Sequence, residues 1–206
     1  KVSKITFGLV NVRGVDKRID SLMWKIIDSL IKEHKWGKKD IEIKHIDLAV
    51  QTYYLLVYTE FFSATRRFDG RKYGKKIEDV AGKEVLRRIF GGSEIAKAEF
   101  AGRYYHKALA VKEMIKSEFE KALKDVDCLI IPTCSILPWK LGAVTKAEDM
   151  YAADALAIPA NLAEVCAVSV PIGKVDGKPV GLQVICGKGE EGKMMSIARE
   201  IEKIGN

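Results

Sequence analysis

Four cysteines, three histidines and no long apolar run exclude several functions for this 206-residue chain. The cysteines, at 128, 134, 166 and 186, form no CxxC pair, and Cys128 sits in the apolar run CLII. Buried free thiols of a reducing cytosol are expected, rather than disulfides or zinc ligands. His34, His45 and His106 are isolated from one another, so no metal site is expected. No apolar run approaches the roughly 18 residues that a membrane-spanning helix needs. A P-loop, a GxSxG elbow and an HExxH helix are all missing, and no two serines are adjacent. A nucleophile and its base cannot be assembled from local spacing. The chain opens on Lys1 and a strand-like segment, not on a leader of secretory or transit type, so its natural start is expected further upstream.

The residues that are present have the balance of a globular α/β chain. The hydrophobic fraction is 48% and the charged fraction 31%, which excludes a disordered tail. Thirty-five Lys and Arg against 28 Asp and Glu give +7, a charge that would suit an RNA or an acidic protein face. Its runs, KK at 38–39 and RKYGKK at 71–76, read as solvated surface.

Residues 5–12 form a β-branched run that predicts a strand. Asp16 caps a helix to about His34, on which Ile19, Leu22, Met23, Ile26, Ile27, Leu30 and Ile31 repeat at helical spacing. Gly37 is expected to end that helix, and 41–47 alternates like a parallel second strand. A largely apolar helix follows from 48, then the loop RRFDGRKYG. A short helix at 83–90 is expected to stop at Gly91-Gly92, with Ser93 capping a helical stretch to Lys124 that breaks near Gly102. The apolar segment 127–133 predicts a buried strand. A helix near 148–157, a hairpin built on KVDGK and a terminal helix from Glu190 to Lys203 complete the chain. Together these predict one mixed β-sheet covered by helices on both faces, in one continuous layered body.

Three polar positions stand out in apolar surroundings. Asp154 lies in MYAADALAIPANLA, where its charge meets either water or a partner. Of Arg87 and Arg88, helical geometry turns one outward and one inward; the inward one fits a carboxylate clamp or a structural salt bridge. Tyr53 and Tyr54 head an apolar helix and by default are core residues.

The ordered segments TYYLLVYTEFFSATRRFDGRKYG, GKEVLRRIFGG, DVDCLIIPT and MYAADALAIPANLAEVCAVSVPIG, closed by GKPVGLQVIC, resemble the amidase signature family. Within it the chain is similar to the A-subunit branch of the amidotransferases that act on Glu-tRNA(Gln) or Asp-tRNA(Asn), of archaeal type. The resemblance implies a glutaminase that passes ammonia to a B subunit, which uses ATP and Mg2+ to activate the misacylated tRNA. A small C subunit braces the two, in a cytoplasmic complex with no membrane partner. It also implies that catalysis belongs to a lysine and two serines upstream of these residues. Residues 1–206 are then the C-terminal portion of a single amidase domain, with no catalytic residue and no cofactor of their own. Tyr53, Arg88 and Asp154 match the family's glutamine-holding positions, Arg88 for the α-carboxylate and Asp154 for the α-ammonium. Two other readings stay open: a stand-alone amidase of the same family, and a non-catalytic scaffold or RNA-contact module.

Overall fold

The computed structural model describes residues 5–97, 100–143 and 147–205, so Lys1 lies outside the described residues. In chain order the elements are β1 (Thr6–Val10), α1 (Lys17–Lys32), β2 (Gly37–Ile41), a 3-10 turn at Ile46–Leu48, α2 (Ala49–Thr65), α3 (Ile77–Val80) and α4 (Lys83–Ile95). They continue with α5 (Arg103–Lys124), β3 (Cys128–Pro132), α6 (Ala147–Asp154), α7 (Ile158–Leu162), β4 (Cys166–Val175), β5 (Lys178–Cys186) and α8 (Glu191–Gly205). By packing, the chain divides into two compact units, residues 1–47 with 115–206 and the inserted Leu48–Met114.

The first unit is built on a five-stranded mixed sheet in the order β2-β1-β3-β5-β4. β1 runs parallel to β2 and β3, while β5 is antiparallel to β3 and β4. Four of the five segments expected to be strands lie in this one sheet, and the fifth strand is displaced from the expected 41–47. Alternation along the strands sends side chains to opposite faces. Phe7, Leu9, Cys128, Ile130, Leu182 and Val184 share one core cluster with Met23, Ile27 and Leu30 of α1 and Met194, Ile197 and Ile201 of α8. Leu129, Ile131 and Ile185 point the other way and are equally buried, as are Ile115 and Phe119 of α5 and Ile158 and Leu162 of α7. A fully buried Leu or Ile contributes roughly 1.5–3 kcal/mol, so both faces are needed to stabilise the unit.

Local chemistry sets the ends of these elements. Asp16 caps α1 by accepting from Arg18 N at 2.9 Å. Arg18 then donates to Asp16 Oδ2 and to Asp176 Oδ2, both at 2.6 Å, tying the start of α1 to the β4–β5 turn. That turn has Asp176 at φ 51° and Gly177 at φ 74°, the doubly left-handed geometry that Asp-Gly favours.

Two boundaries differ from the sequence reading. The second strand lies at Gly37–Ile41, not 41–47, and Gly37 opens it instead of closing α1. The helix is closed earlier by Lys35, at φ 58°, as Trp36 N donates back to Leu30 O and the Trp36 indole is buried in the core. Burial of that ring fixes where the strand begins. In the second unit, Gly91-Gly92 does not stop a helix, because α4 runs through both glycines to Ile95. A Cβ on Gly92 would stand 2.0 Å from Tyr58 O and one on Gly91 would stand 2.5 Å from the Tyr58 ring. The glycines are there so that α2 and α4 can approach at backbone contact. Ser93 caps nothing; its Oγ donates to Phe90 O at 2.7 Å. The expected break falls at Ala101 and Gly102, both with positive φ.

Candidate functional site

In the second unit, Tyr53 and Tyr54 lie on α2, and Arg87 and Arg88 on α4. Helical spacing predicts one arginine outward and one inward, and the structure turns Arg87 outward and Arg88 inward; the Arg88 side chain is 28% exposed. Glu84, one turn earlier, serves both: its Oε2 accepts from Arg87 Nη1 at 2.7 Å and its Oε1 from Arg88 Nε at 3.2 Å. Burial works against the Arg88 charge, but the hydrogen bond and charge of Glu84, with Tyr53 and Tyr54 in electrostatic range, outweigh it and raise the pKa. The Tyr53 and Tyr54 rings meet edge to face at 5.2 Å. Tyr53 is half-buried and Tyr54 buried. The structure thus brings Tyr53 and Arg88 together, through the glycine contact that seats α4 on α2. It also adds Glu84, which the sequence reading missed although its i, i+4 spacing to Arg88 was visible. Because only Nε is engaged by Glu84, the guanidinium keeps donors for a carboxylate.

Asp154 belongs to the first unit, exposed at the end of α6. Its neighbour Ala153 helps to line a cavity of about 500 Å³, with Thr133, Cys134, Trp139, Ser169 and Gly181. Thr133 Oγ1 and Ser169 Oγ share a hydrogen bond at 2.6 Å on that wall. A Cβ on Gly181 would lie 2.5 Å from Ser169 Oγ, so the bare backbone there leaves room for the hydroxyl pair. Burial, and then the nearby Asp154 charge, push the Cys134 thiol up. A wall of hydroxyls and apolar groups beside a carboxylate suits a small ligand that carries a cation.

Ser29 and Lys32 have the SxxK spacing, but Lys32 is ion-paired with Asp28 at 3.1 Å on an exposed face of α1. GKGEEG at 187–192 has the GxGxxG spacing between β5 and α8. Here β5 is antiparallel to both neighbours, and Glu190 Oε2 accepts from Gly187 N at 2.9 Å. A carboxylate of the chain itself thus takes the first backbone N–H of this turn. Among the described residues, no group of three His, Cys, Asp or Glu is placed to hold a metal ion. No described helix is long and apolar enough to cross a membrane.

The sequence profile of the Amidase family matches residues 3–195. The chain belongs to the amidase family. The A subunit of the glutamyl-tRNA(Gln) amidotransferase of Methanocaldococcus jannaschii is 46% identical over 164 residues, 80% of this amidase chain and 38% of that protein. Its namesake from Methanosphaera stadtmanae is 46% identical over 187 residues, 91% of this chain and 41% of its own length. The amidase-family chain thus spans about 40% of such relatives. The crystal structure of the A subunit of the Thermotoga maritima glutamyl-tRNA(Gln) amidotransferase superposes with a TM-score of 0.77 at 29% identity, over 97% of this chain and 42% of that one. A bacterial aryl acylamidase of the amidase signature family superposes at 0.81 with 13% identity, a likeness of fold.

Proposed function

We infer that this chain is part of the glutaminase subunit of a tRNA-dependent amidotransferase and supplies residues that hold glutamine. The observation that carries the reading is Arg88: a half-buried cation, held by Glu84 at Nε alone, in electrostatic range of Tyr53. Relatives that are 45–47% identical and bear the name of the A subunit of glutamyl-tRNA(Gln) amidotransferase support it. By likeness to the family, Arg88 is assigned the α-carboxylate as a bidentate partner, with Tyr53 beside the substrate, and Asp154 is assigned the α-ammonium. One fixed cation and one fixed anion select a free α-amino acid over a neutral amide. The side-chain amide of glutamine then points to a lysine and two serines, none of which matches a position in these 206 residues. The chain by itself hydrolyses no glutamine.

In the whole enzyme the released ammonia passes to a B subunit that activates misacylated tRNA with ATP and Mg2+. A C subunit completes a cytoplasmic heterotrimer. Arg88→Ala in that enzyme tests the reading. Loss of a hydrogen bond to a charged group costs about 1.5–3 kcal/mol, so glutamine-dependent activity should fall by about one to two orders of magnitude. Activity with added ammonia should stay near wild type, because ammonia bypasses the site. Equal loss with both nitrogen donors would reject the assignment. A wild-type enzyme that hydrolyses aryl or fatty amides as well as glutamine would favour a stand-alone amidase.

A further inference from the structure

We propose that the exposed loop 66–76 is an RNA-contacting surface, in which Arg71, Lys72, Lys75 and Lys76 grip phosphates and Tyr73 stacks an unpaired base. The charge of the chain is less scattered than its runs suggest. The inserted unit Leu48–Met114 holds 13 Lys and Arg against 8 Asp and Glu, a net +5 of the chain's +7. Within it the loop alone holds Arg66, Arg67, Arg71, Lys72, Lys75 and Lys76 against Asp69, so the remainder of the unit is neutral. Every residue of 66–76 except Phe68 is exposed.

The loop leaves most of these cations without an ion-pair partner. Arg66 is taken by Glu78 at 2.6 Å, and the Arg67 guanidinium lies over the Phe68 ring at 5.2 Å. Arg71, Lys72, Lys75 and Lys76 form no ion pair among the described residues, and of the four only Lys76 lies in electrostatic range of Glu78. Asp69, the loop's one acid, spends Oδ1 on the backbone N of Arg71 at 3.0 Å. Gly70 and Gly74, at φ 81° and 93°, turn the backbone around that bond. The Tyr73 ring stands 54% exposed, with Lys72 Nζ 5.4 Å from its centre. Four crowded cations repel one another and call for a polyanion. An acidic protein face would answer the charge but has no use for the bare ring. A ring flanked by cations is the platform on which a base stacks while its phosphates are neutralised.

The inference is independent of the glutamine reading and concerns other residues. The test uses the full-length protein that contains this chain, with an unmodified tRNA transcript as probe for its exposed single-stranded loops. Binding is followed against salt concentration for wild type and for Arg71, Lys72, Lys75 and Lys76 changed together to alanine. Removal of four phosphate contacts should lower the log–log salt slope by about 3, and the single change Lys72→Gln by about 0.7. Tyr73→Ala should weaken binding roughly 5- to 150-fold, and Tyr73→Phe should restore it. Thermal melting and tRNA-free glutamine hydrolysis should be unchanged in the loop variants. If the quadruple variant does not fold, the slope of Lys72→Gln and the Tyr73 pair decide the matter. An unaltered slope in Lys72→Gln would overturn the proposal. So would poly-glutamate that competes as well as tRNA while Tyr73→Ala has no effect, because the loop would then serve an acidic protein face.

Discussion

Arg88 donates through Nε to Glu84 Oε1 at 3.2 Å, one helical turn away, and this bond sets the direction in which the guanidinium points. Glu84→Gln keeps an oxygen acceptor of the same shape but removes the charge. In the whole enzyme it should raise the glutamine KM about 2- to 10-fold, the value of one ordinary hydrogen bond, with kcat little changed. Glutamine and ammonia titrations in parallel check this. A fall in kcat with both donors would show that Glu84 only supports the fold.

Gly92 decides whether α4 can seat on α2. Alanine is normally the better helix former by about 1 kcal/mol, yet at Gly92 its methyl group would meet a backbone carbonyl at 2.0 Å. The clash should win, and Gly92→Ala should destabilise the protein by about 1–3 kcal/mol, read from the denaturant midpoint. Gly192, with open space around its Cβ position, is the control: there alanine should be neutral or stabilising by up to about 1 kcal/mol.

The thiols report on the surroundings of Asp154. Burial pushes Cys186 up to about 12 and Cys128 higher still, so neither should react with a maleimide at pH 8 in the folded protein. Cys134 is exposed and should react first, but with its thiolate formed at higher pH than in a free peptide. Asp154→Asn removes a nearby negative charge, so the Cys134 pKa should fall and its alkylation rate at pH 8 should rise. A pH–rate profile for both proteins tests the contact. Identical profiles would place the Asp154 charge out of range of the cavity wall.

Acid should weaken the start of α1 in a defined window. Hydrogen bonds from Arg18 hold the Asp16 carboxyl at about 2, against an ordinary 3.8. A carboxyl lowered by folding stabilises the native state above its unfolded pKa, and that stability is lost as pH falls through the folded one. Asp16→Asn retains a cap acceptor without the ion pair. Its stability, relative to wild type, should be lower at pH 5 and converge with it towards pH 2. Denaturation midpoints across that range would show the convergence, and a constant difference would contradict it.

Most of the sheet was legible in the chain because its signals are local. Apolar alternation, the Asp16 cap and the Asp-Gly turn each depend on residues within a few positions. Four of the five strands were therefore foreseen in place within one mixed sheet, and helical spacing required that one of Arg87 and Arg88 turn inward without saying which. The glutamine-holding roles of Tyr53, Arg88 and Asp154 came from likeness to a family, since no local pattern distinguishes a clamp from a salt bridge.

What the sequence by itself determined was the helical periods, the turn chemistry and the total charge, all set by near neighbours. Tertiary packing decided the rest. Trp36 opens β2 early because its ring must enter the core. Gly91 and Gly92 read as a helix stop until Tyr58 is seen against them, a contact about 30 residues away in the chain. Arg88 comes into range of Tyr53 and Tyr54 only where α4 packs on α2, and Arg71, Lys72, Lys75 and Lys76 become one charged surface only once Asp69 is turned into its own backbone. In each case the deciding neighbour comes from distant chain or from a backbone turn, and burial and charge depend on that neighbour's position in space.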